Sequence, residues 1–173
     1  MEIYITADTH LDRKNILKYE PSRQQFGDHL QMTEALIERW NDTVKQNDII
    51  FHLGDVFFSK AQRAKEIASR LNGHKILIQG NHDHYSKKKY LELGFNLHQY
   101  YYHEGLFLSH YPQDLSAMQT AINHQAITGN VHGHVHSNIA GLDQSVYKCV
   151  SVELTDFKPV HIDEIKNHFR RNF

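Results

Sequence analysis

ILIQGNHDHYSKKK, residues 76–89, runs from an apolar stretch into a glycine and then straight into Asn81, His82, Asp83 and His84. The run before Gly80 is short and rich in isoleucine and leucine, which reads as a buried strand with Lys75 to Gln79 as its span. A glycine closes it, and the most polar cluster of the chain follows at once. Where other strands end decides whether this is an isolated turn or one wall of a site.

Outward from this stretch the same arrangement repeats. EIYIT, Glu2 to Thr6, reads as a strand and leads into Asp8-Thr9-His10. DIIFHL, Asp48 to Leu53, leads into Gly54-Asp55, and LFLS, Leu106 to Ser109, leads into His110. AIT, Ala126 to Thr128, precedes Gly133-His134-Val135-His136. Helical patterns separate the strands. Asp28 with Gln31 forms a capping-box pattern ahead of Met32, Leu36, Trp40 and Val44, and Lys60 to Leu71 carries a stripe closed by Asn72-Gly73. Shorter helices are predicted over Ser86–Leu93, Leu115–His124 and Asp163–Arg170, and a strand over Val146–Leu154. Leu11 to Phe26 has no clean period and reads as a long loop with one short helical turn. Strands alternating with helices predict one layered α/β domain over residues 1–173.

Open α/β sheets bind ligands beyond the carboxyl ends of their strands, so five polar strand exits predict a shared site. The chain has 15 histidines, 40% hydrophobic residues, a net charge of -1 and a pI of about 6.9. Near-neutral charge gives little counterion-release affinity for nucleic acid, which is therefore a weaker expectation than a small substrate. No apolar run approaches the roughly 20 residues of a membrane span. MEIYITAD has no basic region followed by an apolar one, which argues against a secretory signal. The one cysteine, Cys149, reads as a buried thiol in a reducing, cytoplasmic compartment.

Seven donors stand at these exits: Asp8, His10, Asp55, Asn81, His110, His134 and His136. Asp8 with His10, and His134 with His136, lie two apart, so in extended backbone each pair would point one way. Oxygen and nitrogen donors without thiolate suit manganese, iron, zinc or nickel, with manganese first. One tetrahedral ion would use four donors. Two divalent ions about 3.5–4 Å apart would use all seven and suit displacement at phosphorus. His52 precedes the second motif and, by strand alternation, would face away from the site. Lys87-Lys88-Lys89 reads as a solvated helix face. Arg13, Asn15 and Arg23, on the long loop behind the first motif, are the candidate substrate contacts.

D8-T-H10, G54-D55, G80-N81-H82-D83, H110 and G133-H134-V-H136 resemble, in order, the five-part signature of the calcineurin-like metallophosphoesterases. Within that family the chain resembles the small single-domain phosphoesterases of bacteria and phages. The resemblance implies a four-layer αββα sandwich. It implies one metal on Asp8, His10 and His136, a second on Asn81, His110 and His134, and Asp55 between them. It also implies catalysis by His82, oriented by Asp83, and attack by a hydroxide bridging the metals. Val56-Phe57-Phe58 after the second motif departs from the Asp-Arg pair of the protein phosphatases. A phosphodiesterase is favoured for the open edge. Phosphomonoesterase, small nuclease and a metal-binding module without catalysis are the alternatives.

Overall fold

The computed structural model describes residues 1–123 and 125–171, the side chain of residue 171 excepted. Two sheets carry the predicted strands. The first holds β1 (Ile3–Thr6), β2 (Ile49–His52), β3 (His74–Ile78), β4 (Phe95–His98) and β9 (Val160–His161), in the order β4-β3-β2-β1-β9. Its first four strands are parallel, and β9 pairs antiparallel with β1. The second sheet runs β5 (Tyr101–His103), β6 (Leu106–Leu108), β7 (Gly129–His132) and β8 (Tyr147–Cys149), antiparallel only between β5 and β6.

Helices α2 (His29–Thr43), α3 (Ala61–Arg70) and α4 (Lys87–Glu92) cover the outer face of the first sheet, where Met32, Leu36, Trp40, Ile67 and Tyr90 pack with Ile50, Leu77 and Phe95. Between the sheets lie Ile5, Phe51, Leu53 and Ile78 from one and Leu106, Leu108 and Val131 from the other. Helix α5 (Leu115–Ala121) closes the far side through Met118 against Phe107. The layers are thus helix, sheet, sheet, helix. Strands covered on both faces explain the unbroken apolar runs IYIT and IIFH, because parallel sheets have no wet side. The last helix, α6 (Ile162–Arg171), sends Ile165 and Phe169 into the inter-sheet core. Each such fully buried side chain contributes roughly 1.5–3 kcal/mol. No helix among the described residues is long and apolar enough to cross a membrane.

Register explains why the motifs meet. Thr6, His52 and Leu77 are aligned across β1, β2 and β3, so Asp8, Gly54 and Gly80 leave the sheet at one level. Leu108 aligns with Val131, and His132 with Cys149, which brings His110, Gly133 and Ser151 out together. A parallel bridge between Ala7 and Ser151 joins the two rims.

Several local expectations shift. The helix after Asp28 begins as the cap predicts, with Asp28 Oδ1 accepting from the N–H groups of Leu30 and Gln31, both at 2.9 Å. The strand expected at Ala126–Thr128 instead starts at Gly129 and contains Asn130, whose buried amide donates to Phe107 O and Ser109 Oγ. The run Val146–Leu154 is a strand only over Tyr147–Cys149, and Val152–Leu154 forms a 3-10 turn. The long loop holds α1 (Ile16–Tyr19) and a 3-10 turn over Pro21–Phe26. The predicted helix from Leu115 ends at Ala121, and His124 lies outside the described residues.

Candidate metal centre

All seven predicted donors come together at the common rim. Asp8 is fully buried, and its Oδ2 accepts from the His134 N–H at 2.9 Å and the Ser151 hydroxyl at 2.6 Å. Its other oxygen, Oδ1, is buried without a hydrogen bond and lies 4.0 Å from the Nε2 atoms of both His10 and His136. Those two nitrogens are 3.2 Å apart. Asp55 Oδ2 is 3.7 Å from His10 Nε2, and its Oδ1 is 3.8 Å from His110 Nε2. Asn81 Oδ1 lies 2.9 Å from His110 Nε2 and 3.1 Å from His134 Nδ1. Asp8 with His10 and His136, and Asp8 with Asp55 and His110, each gather three ligand-type atoms within 4.8 Å.

Extended backbone is not what aims the paired residues. Asp8, His10, His134 and His136 all have positive φ, between 47° and 68°, and so does Asp55 at 61°. Non-glycine residues avoid this region, at a cost of order 1–3 kcal/mol each, and such strain gathers at functional sites. The close fit also needs Gly54 and Gly80. A Cβ on Gly54 would lie 2.8 Å from Gly80 Cα and overlap the His110 ring, and one on Gly80 would lie 2.6 Å from Asp55 N.

The rings are oriented from behind. His110 Nδ1 is 2.7 Å from the Leu53 carbonyl, and His136 Nδ1 is 2.9 Å from Glu153 Oε1. Carbonyl and carboxylate only accept, so each Nδ1 carries the proton and each Nε2 turns a lone pair inward. Histidines that hold metals are oriented this way. The His110 lone pair faces the Asn81 amide oxygen at 2.9 Å, with the bare Asp8 oxygen in the same rim, whereas His10, whose Nδ1 accepts from Arg13, turns its Nε2–H to the His136 lone pair at 3.2 Å. Acceptors left facing one another at His110, Asn81 and Asp8 fit a divalent cation, and the donor set fits the expected ions.

Burial sets the titration of the group. It pushes Asp8 up to about 6, although His136 and His110 pull it back. It holds His10 well below the ordinary histidine range, with Arg23 and His136 adding to the effect. Burial would also lower His136, but the hydrogen bond to Glu153 and the Asp8 charge outweigh it and raise that ring.

Two roles expected from sequence, those of Arg23 and Asp83, are corrected. Arg23 does not face a substrate: it is fully buried and donates to Asp8 O at 2.6 Å, Thr9 O at 3.0 Å and Glu153 Oε1 at 2.6 Å. A guanidinium has five donors, enough to satisfy carbonyls that a strained loop turns inward. Asp83 does not orient the His82 ring. Its Oδ2 accepts from the Asp55 and Gly80 N–H groups and its Oδ1 from Val56 N–H and the Tyr90 hydroxyl, so it ties two motif loops together. His82 is held instead through its backbone N–H on Asp55 Oδ1 at 2.9 Å, and burial lowers its pKa, outweighing the Asp55 charge that would raise it. Asn15 is exposed at the head of α1, with no hydrogen bond to the cluster among the described residues. Arg13 does reach the site, 3.3 Å from His10 Nδ1 and 4.1 Å over the Phe58 ring. His52 turns to the helix side, where it stacks on Trp40 and meets Thr9 Oγ1 at 2.9 Å.

Glu153 and Ser151 were not foreseen from sequence. Both stand in VYKCVSVEL, whose apolar pattern reads as strand, and only the 3-10 turn after Cys149 brings Glu153 behind His136.

A sandwich of two largely parallel sheets with histidine, carboxylate and amide donors at their shared rim defines a metal-dependent phosphoesterase. The chain belongs to the calcineurin-like phosphoesterase superfamily, whose domain model matches residues 1–152. It is 33% identical over 173 residues to the uncharacterized protein MJ1445 of Methanocaldococcus jannaschii, covering 95% of this chain and 89% of that protein. Among solved structures it is similar to AQ665 of Aquifex aeolicus, a protein of unknown function, with a TM-score of 0.70 and 27% identity over 96% of this chain and 98% of that one. It shares the fold of the Pseudomonas putida nuclease MPE at a TM-score of 0.51 and 21% identity, over 78% of this chain and 61% of that one.

Proposed function

We propose that this protein is a phosphodiesterase working with two divalent ions, manganese in first place. Asp8, His10 and His136 would hold one ion, and Asn81, His110 and His134 the other, with Asp55 between them. The observation that carries this reading is the pair of Nε2 lone pairs, on His110 and His136, turned into a rim that also holds the bare Asp8 oxygen. Bound there, the ions would offset phosphate charge and acidify a water between them.

The chain's own residues supply the rest. Hydrolysis forms a bond from water oxygen to phosphorus, breaks the bond to the leaving oxygen, and must deliver a proton there. His82, half-buried at the rim and anchored by its N–H on Asp55, is the group placed to hydrogen-bond that oxygen and pass the proton. Its lowered pKa favours the neutral ring, which donates its one N–H as a hydrogen bond to that oxygen and delivers a proton only by taking one up at its other nitrogen. Arg13 adds a positive charge at the same edge.

Two clefts support a diester over a monoester. One adjoins His82, and the other, of about 270 Å³ and lined by Gln79, Gln99, Tyr111 and Gln113, adjoins His110. Each could take one ester substituent. The buried thiol of Cys149, hydrogen-bonded with Ser151 at 3.2 Å, suits a reducing cytoplasm.

Elemental analysis of the purified protein, followed by matched assays of bis-p-nitrophenyl phosphate and p-nitrophenyl phosphate with Mn2+, tests the reading. About two ions per chain and faster diester turnover are expected. His82→Ala should keep its ions and lose roughly 10²–10⁴-fold in rate. Fewer than one ion per chain, or no turnover with any metal, would remove the proposal.

A further inference from the structure

The cleft beside His82 has a composition that the hydrolytic centre does not explain. It is a cavity of about 180 Å³ between Phe57, Phe58, Ser59, His82, Tyr85 and Tyr90, with exposed His84 at its mouth. None of these lining residues is an acid, a lysine or an arginine, and the Arg13 guanidinium, 4.1 Å over the Phe58 ring, stands outside the lining. The rings form a built wall. Phe58 and His82 stand 4.7 Å apart at 56°, and Tyr85 and Tyr90 stand 5.6 Å apart at 60°. The Tyr85 hydroxyl is bonded to the Ser59 carbonyl, and Tyr90 is fixed by Asp83.

Two observations narrow the occupant. Uncharged aromatic walls select a neutral planar ring over a phosphate, a sugar acid or an aliphatic amine. In the same wall, Ser59 Oγ is buried without a hydrogen-bond partner. A lone hydroxyl of this kind is costly as it stands, and a turn of the Ser59 side chain would present it to a ligand atom in the cleft. The cleft also shares His82 with the rim, and His82 is the residue assigned to the leaving oxygen. A substituent on that oxygen would therefore pass His82 and enter the cleft.

The geometry points to an aromatic subsite: the natural substrate carries a planar, uncharged ring on its leaving-group side, as an aryl ester or as the base of a nucleoside, seated among Phe58, Tyr85 and His82 with a polar edge towards Ser59. This rests on the phosphodiesterase reading above and deepens it. It gives the residues after Asp55, where the sequence departs from the protein phosphatases, the task of choosing substrate. The neutral walls also set this cleft apart from the amide-lined one at His110.

Binding of three non-hydrolysable probes to the manganese-loaded protein tests it: methylphosphonate, phenylphosphonate and thymidine 5′-phosphonate, titrated calorimetrically. At least one ring-bearing probe should bind roughly tenfold or more tighter than methylphosphonate. Preference for phenylphosphonate alone identifies an aryl ester, and preference for the thymidine compound a nucleotide. Ser59→Leu, which fills the cleft, should bring the ratio near one. His84→Ala, at an exposed position, should lower it several-fold. Equal binding of all three probes, or a preference that survives both substitutions, overturns the subsite while leaving metal binding and diester turnover intact. If the protein holds no manganese and binds none of the probes, the failure lies in the metal-centre reading, and the subsite falls with it.

Discussion

Arg23 and Glu153, 130 positions apart in sequence, form a fully buried ion pair with guanidinium Nε 2.6 Å from Oε1. The same carboxylate oxygen meets Nδ1 of His136, and the same guanidinium holds the carbonyls of Asp8 and Thr9. One buried pair thereby fixes a candidate ligand from the first strand exit and another from the fifth. Burial would push Glu153 up, but the His136 hydrogen bond and the Arg23 charge hold it below the usual carboxylate range. It therefore stays ionised where His136 needs an acceptor.

Glu153→Gln keeps the shape and removes the charge. Metal affinity should fall 10–100-fold, as for other groups standing behind a ligand histidine. Competition with a chelating dye would measure it. Glu153→Ala strands the Arg23 charge and should cost about 3–5 kcal/mol in urea unfolding. An unchanged affinity in the glutamine variant would show that His136 needs no such support.

Asp8→Asn should stabilise the protein in chelator while abolishing metal binding. With a folded pKa near 6 against an ordinary 3.8, the ionised carboxylate opposes folding by up to about 3 kcal/mol above pH 6. That cost fades as pH falls towards 3.8, because the folded state then takes up its proton. Thermal melts at pH 8 and pH 4.5 should therefore show a gain at the higher pH that shrinks at the lower. His52, held neutral by burial with its pKa at about 3, makes an opposite contribution, lost as pH falls below 6.5, and the variant leaves it in place.

Gly133→Ala tests the closeness of the two rims. The added methyl would overlap Asp8 Oδ2 and lie 2.7 Å from Ala7 Cβ. Both neighbours are buried and neither can swing aside, so a loss of about 1–3 kcal/mol is expected with weakened metal binding. Gly141→Ala makes a contrasting control. Its Cβ would meet nothing within 4 Å, although its φ of 84° carries backbone strain. Stability loss without loss of metal binding is expected there.

Chelation of the loaded protein should lower its thermal midpoint reversibly. Ions that bind only the folded state add about 2.7 kcal/mol at a hundredfold excess over their dissociation constant. Differential scanning fluorimetry with and without Mn2+ reads the shift, and Asp8→Asn should abolish it.

Periodicity and residue order alone were enough to find the strands Ile3–Thr6, Ile49–His52 and His74–Ile78, the capped helix from Asp28, and the seven donor-type side chains that meet at one rim. These signals are local: apolar runs of strand length, a cap three residues before its partner, a glycine closing a strand. Strand Gly129–His132 was misplaced because its buried Asn130 is satisfied by Phe107, Ser109 and Gln113, partners no local pattern can name. Asp83, Arg23 and Glu153 depended wholly on tertiary structure. A carboxylate beside a histidine in sequence looks like its partner, yet Asp83 turns to backbone N–H groups on another loop. A loop arginine looks exposed, yet Arg23 is drawn under the site by carbonyls that left-handed backbone points inward. Chain order tells which residue types are present at an edge. Where a buried charge finds its counterpart is settled only when segments distant in sequence compete for the same few donors.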